Sequence, residues 1–177
     1  MKKIILVIAL SMIGLLAACG NVDQTDDLVD IREHDAVSLL NGLKNDDVVA
    51  KDYAVSVFPN EVKVTSDDEE LVLLIEEDIF FLSVAPYIHN THECFYHSAT
   101  GRRGELIDQE FTVLIVDQNG EVVFDQVMNS GTNGFIDLWL PRGIEGTLTI
   151  EYDGLSVVQD VSTVGDAKTC ETTMRLQ

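Results

Sequence analysis

Two dipeptides, Asn119-Gly120 and Asp153-Gly154, each sit between runs rich in β-branched residues. A pair of this kind supplies the positive φ that a tight hairpin demands, so the runs on either side are expected to fold back on each other. The first turn joins 111–116 to 122–128, and the second joins 147–152 to 155–158. Phe135-Ile-Asp-Leu-Trp-Leu140, bounded by Gly134 and Pro141, adds another strand, and 172–176 reads as the last. Strands at this spacing predict a small sandwich or barrel.

Upstream the pattern is mixed. Asp35-Ala-Val-Ser-Leu-Leu-Asn-Gly-Leu43 predicts one helix, with Asp35 as its cap and Val37, Leu40 and Leu43 near one face. The stretch 53–58 alternates and stops at Pro59-Asn60, Val62 and Val64 alternate again, 71–75 reads as a short buried run, and 80–85 ends at Pro86. The expected class is therefore α+β. A small helix-plus-strands portion over 35–86 precedes a β-rich, sandwich-like or barrel-like portion over 87–177, with the boundary near Pro86 to Asn90.

The N-terminus indicates the compartment. Met1-Lys2-Lys3 is basic, 4–16 is apolar, and Leu16-Ala17-Ala18-Cys19 follows. The apolar run is too short to span a bilayer and ends in small residues, so 1–18 reads as a secretory signal peptide. The Leu-Ala-Ala-Cys ending resembles a bacterial lipobox, with cleavage before Cys19 and lipidation of its sulfur. Ordinary cleavage leaving a free Cys19 is the alternative. Two acyl chains on Cys19 suffice for stable anchoring, and 19–34 then serves as a polar, acidic tether. The chain is read as a membrane-anchored lipoprotein, periplasmic or on the outer face of the cell membrane.

Removing 18 of 177 residues leaves 159, and losing Lys2 and Lys3 takes the formal charge from −20 to −22. A chain this acidic lacks the basic surface that phosphate binding needs, which argues against nucleic acid as a partner. Runs such as Asp67-Asp68-Glu69-Glu70 lack the alternation and glycine of a calcium loop and read as solvated faces.

Three of the four histidines and one of the three cysteines fall within nine residues, His89-Asn-Thr-His92-Glu-Cys94-Phe-Tyr-His97. Imidazole and thiolate are the donors that soft transition metals prefer. Cys94 and Cys170 are the cysteines left once Cys19 is lipidated. In an exported chain they can form a structural disulfide, closing a loop of about 76 residues worth roughly 4 kcal/mol in the chain-entropy model. They can equally hold Cu(I), which accepts two or three ligands including an imidazole. Cys94, Cys170, His97 and His92 are the candidate metal ligands; four donors also leave zinc open, as the less favoured ion. His89 and His34 read as surface residues, Met128 and Met174 as core, and Phe95, Tyr96 and Tyr87 as packing around the site. A Cys94–His97 nucleophile lacks an identifiable orienting group or oxyanion hole, so the chain is not read as a turnover enzyme.

At these residues the chain resembles the CueP family of exported copper-binding proteins. The matching stretches are Phe81-Leu-Ser-Val-Ala-Pro-Tyr87, Thr91-His-Glu-Cys-Phe-Tyr-His-Ser98, Gly104-Glu-Leu106, Asn133-Gly-Phe135, Trp139-Leu-Pro-Arg142, 146–154 and Thr169-Cys170 with Thr172-Thr173. The resemblance implies copper tolerance, storage or delivery outside the cytoplasm, with an exported copper-accepting enzyme such as a superoxide dismutase as a partner. It implies a homodimer formed through the N-terminal portion, and three metal-site cysteines. The first falls on Cys94 and the last on Cys170. The middle one falls within 99–104, at Arg102, where this chain has no thiol. A guanidinium cannot ligate copper and its fixed charge disfavours a cation. Two thiols can still bind Cu(I) and, closing to a disulfide, reduce Cu(II). The reading from another class is a structural or adhesive surface β-domain with a permanent Cys94–Cys170 disulfide.

Overall fold

Asp35 starts the helix as expected: its carboxylate accepts the Ser38 N–H at 2.7 Å, one of the donors a helix start leaves unpaired. The computed structural model describes residues 31–177; the signal-peptide and Cys19 lipidation readings lie outside the described residues. Helix α1 (Ala36–Lys44) precedes β1 (Ala54–Val57), β2 (Glu61–Thr65), β3 (Glu70–Leu74), β4 (Ile79–Val84), β5 (His97–Ser98) and β6 (Glu110–Asp117). The remaining strands are β7 (Val122–Asn129), β8 (Ile136–Pro141), β9 (Glu145–Tyr152), β10 (Leu155–Ser162) and β11 (Cys170–Glu171). One short helix and eleven strands lying wholly within the described residues make the chain β-rich α+β.

Three sheets form, in the strand orders β3-β2-β1-β5, β11-β4-β8 and β10-β9-β6-β7. Strand β4 explains how they stack. Its residues alternate between two faces, and both faces are buried. Phe81 joins the core of α1 and the first sheet, with Val55, Val57, Val62, Leu39 and the ring of Trp139. Phe80, Leu82 and Val84 join the core against the third sheet, with Phe111, Val113, Ile115, Leu138 and Leu148. The β11-β4-β8 sheet is thus the shared middle layer, a near-continuous apolar strand at its centre. Polar ties fasten the first layer to it. Arg142 donates to the Pro59 carbonyl at 2.6 Å, the Asn60 side chain at 3.0 Å and the Ile79 carbonyl at 3.1 Å, and Trp139 Nε1 donates to Asn41 Oδ1 at 3.2 Å.

Both expected hairpins form, β6–β7 and β9–β10. They turn differently. Asp153 (φ 48°) and Gly154 (φ 78°) both take positive φ, whereas in the first only Gly120 does (φ 82°). Asp117 Oδ1 instead accepts the Asn119 and Glu121 N–H groups, each at 2.9 Å, and a bulge shifts the register near Val116. Three further expectations need correction. The helix buries Leu40 as expected, but Ala36 and Leu39 join it while Val37 and Leu43 are only partly buried. The 71–75 run is an edge strand with Leu74 75% exposed. The last strand is not 172–176 but β11, pairing parallel with β4. Pro86 has no N–H to give to the ladder, and the tail past Glu171 is held by isolated backbone bonds instead, Met174 and Leu176 to Tyr87 and Gln177 to Ser156.

Candidate metal centre

The cysteine-histidine stretch meets the C-terminal cysteine because two short strands bring them to the same sheet edges. His97 lies in β5 opposite Val57 of β1, and Cys170 lies in β11 opposite Ser83 of β4. The Thr169 hydroxyl joins these edges, accepting the His97 N–H at 2.9 Å and donating to the Val57 carbonyl at 2.6 Å. The Phe95 carbonyl accepts from Thr169 N at 3.0 Å and Cys170 N at 3.1 Å. Ahead of the cluster, the Glu105 carboxylate gathers the N–H groups of Ile88, His89 and Asn90 at 2.6, 3.0 and 3.2 Å. Those bonds hold its carboxyl below the usual range although burial opposes them. Thr172 Oγ1 donates to the His92 carbonyl at 2.5 Å and Thr91 Oγ1 to the Thr172 carbonyl. The loop is therefore bonded to β11 on both sides of Cys94.

Both thiols are free. Cys170 is fully buried and Cys94 partly so, in one cluster with Phe135 and Ala85. The sulfurs are neighbours: burial, then the hydrogen bond and charge of Cys94, push the Cys170 thiol far up. Cys94 Sγ also donates to the Tyr96 carbonyl at 3.4 Å.

Phe135 packs edge-on with both histidines, its ring centroid 4.8 Å from His97 and 6.3 Å from His92. His97 is 1% exposed and also packs against Phe81 at 5.8 Å. His97 Nδ1 and His92 Nε2 are buried with no hydrogen-bond partner. Burial pushes His97 down to about 4; Asp137 pulls it up, while Lys44 and His92 push it further down. Burial and then the Arg102 charge lower His92. Both rings are thus neutral at pH 7, the form that binds metals. Unpartnered buried polar atoms are rare and call for an explanation, and neutral imidazole nitrogens of this kind fit the role of metal donors.

The structure therefore brings Cys94, Cys170, His97 and His92 to one neighbourhood, with Arg102 exposed near His92. Among the described residues, however, no three His, Cys, Asp or Glu side chains stand ready as a set to hold an ion. His89 is exposed, and Met174 is fully buried while Met128 packs on the core, as expected. Phe95 and Tyr96 do not wall the site; they are 57% and 38% exposed and pack on each other at 4.9 Å, because their segment spends its backbone on β11 and turns the rings outward. The apolar wall is Phe81 and Phe135 instead. Sequence reasoning gave no site role to Phe135, Thr169 or Asp137. Asp137 shares a row with Ser83 and Cys170 across the middle sheet and accepts the Ser83 hydroxyl at 2.5 Å. Its signal was the period-two alternation of β8, where a lone carboxylate occupies the face of Trp139.

The model of the family described as "Periplasmic copper-binding protein CueP" matches residues 35–175. The solved structure described as "Crystal Structure of S.CueP" superposes with a TM-score of 0.78 at 30% identity, covering 88% of this chain and 99% of that one. No curated protein matches the chain. With a family model spanning most of its length and the cysteine-histidine cluster at its centre, this chain belongs to the CueP family of periplasmic copper-binding proteins.

Proposed function

We propose that Cys94 and Cys170 hold Cu(I) together with His97, and with His92 as the next nitrogen donor. The observation that carries this reading is the pair of adjacent free thiols beside two neutral imidazoles whose buried nitrogens lack partners. Low coordination suits Cu(I), whereas zinc wants four ligands in a tetrahedron; two sulfurs with one imidazole favour copper. The acidic surface raises cation concentration near the protein. Cysteine-bound lipid at Cys19 anchors it outside the cytoplasm, the 35–86 portion pairs two subunits, and the 87–177 portion stores copper or passes it to an exported enzyme.

The same pair reduces copper. Two thiols closing to one disulfide release two electrons and two protons, converting two Cu(II) to two Cu(I). Ligand pair and disulfide are then alternating states of the same sulfurs. The test is a titration of reduced protein against a cuprous chelator under anaerobic conditions. Uptake of about one equivalent, lost in Cys170→Ser, is expected. No uptake, with unfolding on reduction, identifies a structural disulfide domain and overturns the reading.

A further inference from the structure

Lys44, the last residue of α1, lies far from the cysteine-histidine stretch in sequence, yet its side chain reaches the turn that carries Phe135, the ring packed on both His92 and His97. Its Nζ donates to the Ser130 carbonyl at 2.7 Å, to Asn133 Oδ1 at 3.4 Å and to the Phe135 carbonyl. An ammonium has three N–H bonds to give and nothing to accept with; three oxygens of one turn receive them. The turn is shaped around the lysine. Gly131 takes φ +62°, and a Cβ there would lie 3.0 Å from Lys44 Cε and Nζ. Asn133 Oδ1 also accepts the Phe135 N–H at 3.0 Å, so both backbone groups of Phe135 are tied to this cradle. Burial weighs against the charged form, while Asp137 and Asp108 favour it.

The geometry points to Lys44 as a positioning residue of the copper centre: its ammonium fills the 130–135 cradle and so fixes the Phe135 ring against both His92 and His97. A helix of the N-terminal portion thereby sets the distance between the two nitrogen donors, without touching the ion. The other bond from α1 to the middle sheet, Asn41 to Trp139, bypasses Phe135 and serves as the control.

The test reads the ring proton signals of His92 and His97 by NMR in reduced, metal-free protein, where Phe135 displaces them through its ring current. Lys44→Met is expected to move both signals in the direction that Phe135→Leu moves them, and to weaken Cu(I) binding about tenfold, as loss of an outer-sphere support does. Lys44→Arg keeps charge and donors and stays nearer wild type; Asn41→Ala leaves both signals in place. Should Lys44→Met not fold, Lys44→Gln is read the same way. Histidine signals unmoved in the folded Lys44 variant, or moved equally by Asn41→Ala, overturn the inference. The affinity arm rests on the copper reading, the NMR arm does not. Wild-type protein that takes no Cu(I) while the Lys44 variant shifts the histidines defeats that reading and leaves the positioning role standing.

Discussion

Replacing Thr169 by valine removes one oxygen from a residue that has no exposed surface and should cost more than a core methyl. That oxygen accepts the His97 N–H at 2.9 Å and donates to the Val57 carbonyl at 2.6 Å, bridging β5, β1 and the approach to β11. Each bond contributes about 1 kcal/mol net, and stranding the His97 N–H away from water adds roughly 1–3 kcal/mol. Valine restores neither partner, so the loss is expected at about 3 kcal/mol. For a domain of this size, that lowers Tm by roughly 6–12 °C. Thr169→Ser keeps the hydroxyl and sheds a methyl, worth about 1 kcal/mol, and separates the polar contribution from packing. Urea melts of the reduced, metal-free proteins measure both. Because the same hydroxyl holds His97 next to Cys170, the valine variant should also bind Cu(I) more weakly than the serine variant. A valine variant as stable as the serine variant refutes the claim that Thr169 bolts the two sheet edges together.

Two further outcomes follow from the site. His97 titrates at about 4 in the folded protein and near 6.5 unfolded; below pH 6.5 the unfolded chain takes up a proton that the native state refuses. The metal-free protein therefore loses up to about 3 kcal/mol as pH falls from 6.5 to 4, and His97→Gln should flatten that part of the stability curve; equal falls in both proteins would contradict it. Reduced protein should convert Cu(II) to Cu(I), at two ions per protein, and Cys94→Ser should abolish the reaction. An unchanged rate in that variant rejects the thiol pair as the electron source.

The sequence made hairpins legible because turn chemistry is local: Asp153-Gly154 carries its φ requirement in two residues. The helix cap was legible for the same reason. The layering was not, since Phe81 and Phe80 are both simply apolar, and only the alternation of β4 against two different sheets assigns them to two cores. The short parallel pairing of β11 with β4 was equally hidden, because two residues have no period. At the site, donor types named Cys94, Cys170, His92 and His97, since chemistry is written in side chains. What surrounds them is written in distant contacts. Phe135 owes its role to the turn bonds that hold its backbone, Thr169 to a hydroxyl between two edges, and Lys44 to the turn its ammonium fills. Arg102 illustrates both sides: its fixed charge was legible in the sequence, but only the fold brings that charge near enough to lower His92.

Whether two sulfurs and an imidazole grip the ion is tested most directly by X-ray absorption at the copper edge on Cu(I)-loaded protein. The account predicts a low-coordinate monovalent ion with two sulfur neighbours and a nitrogen neighbour that disappears in His97→Gln. A spectrum with a single sulfur, or with no sulfur at all, would contradict it.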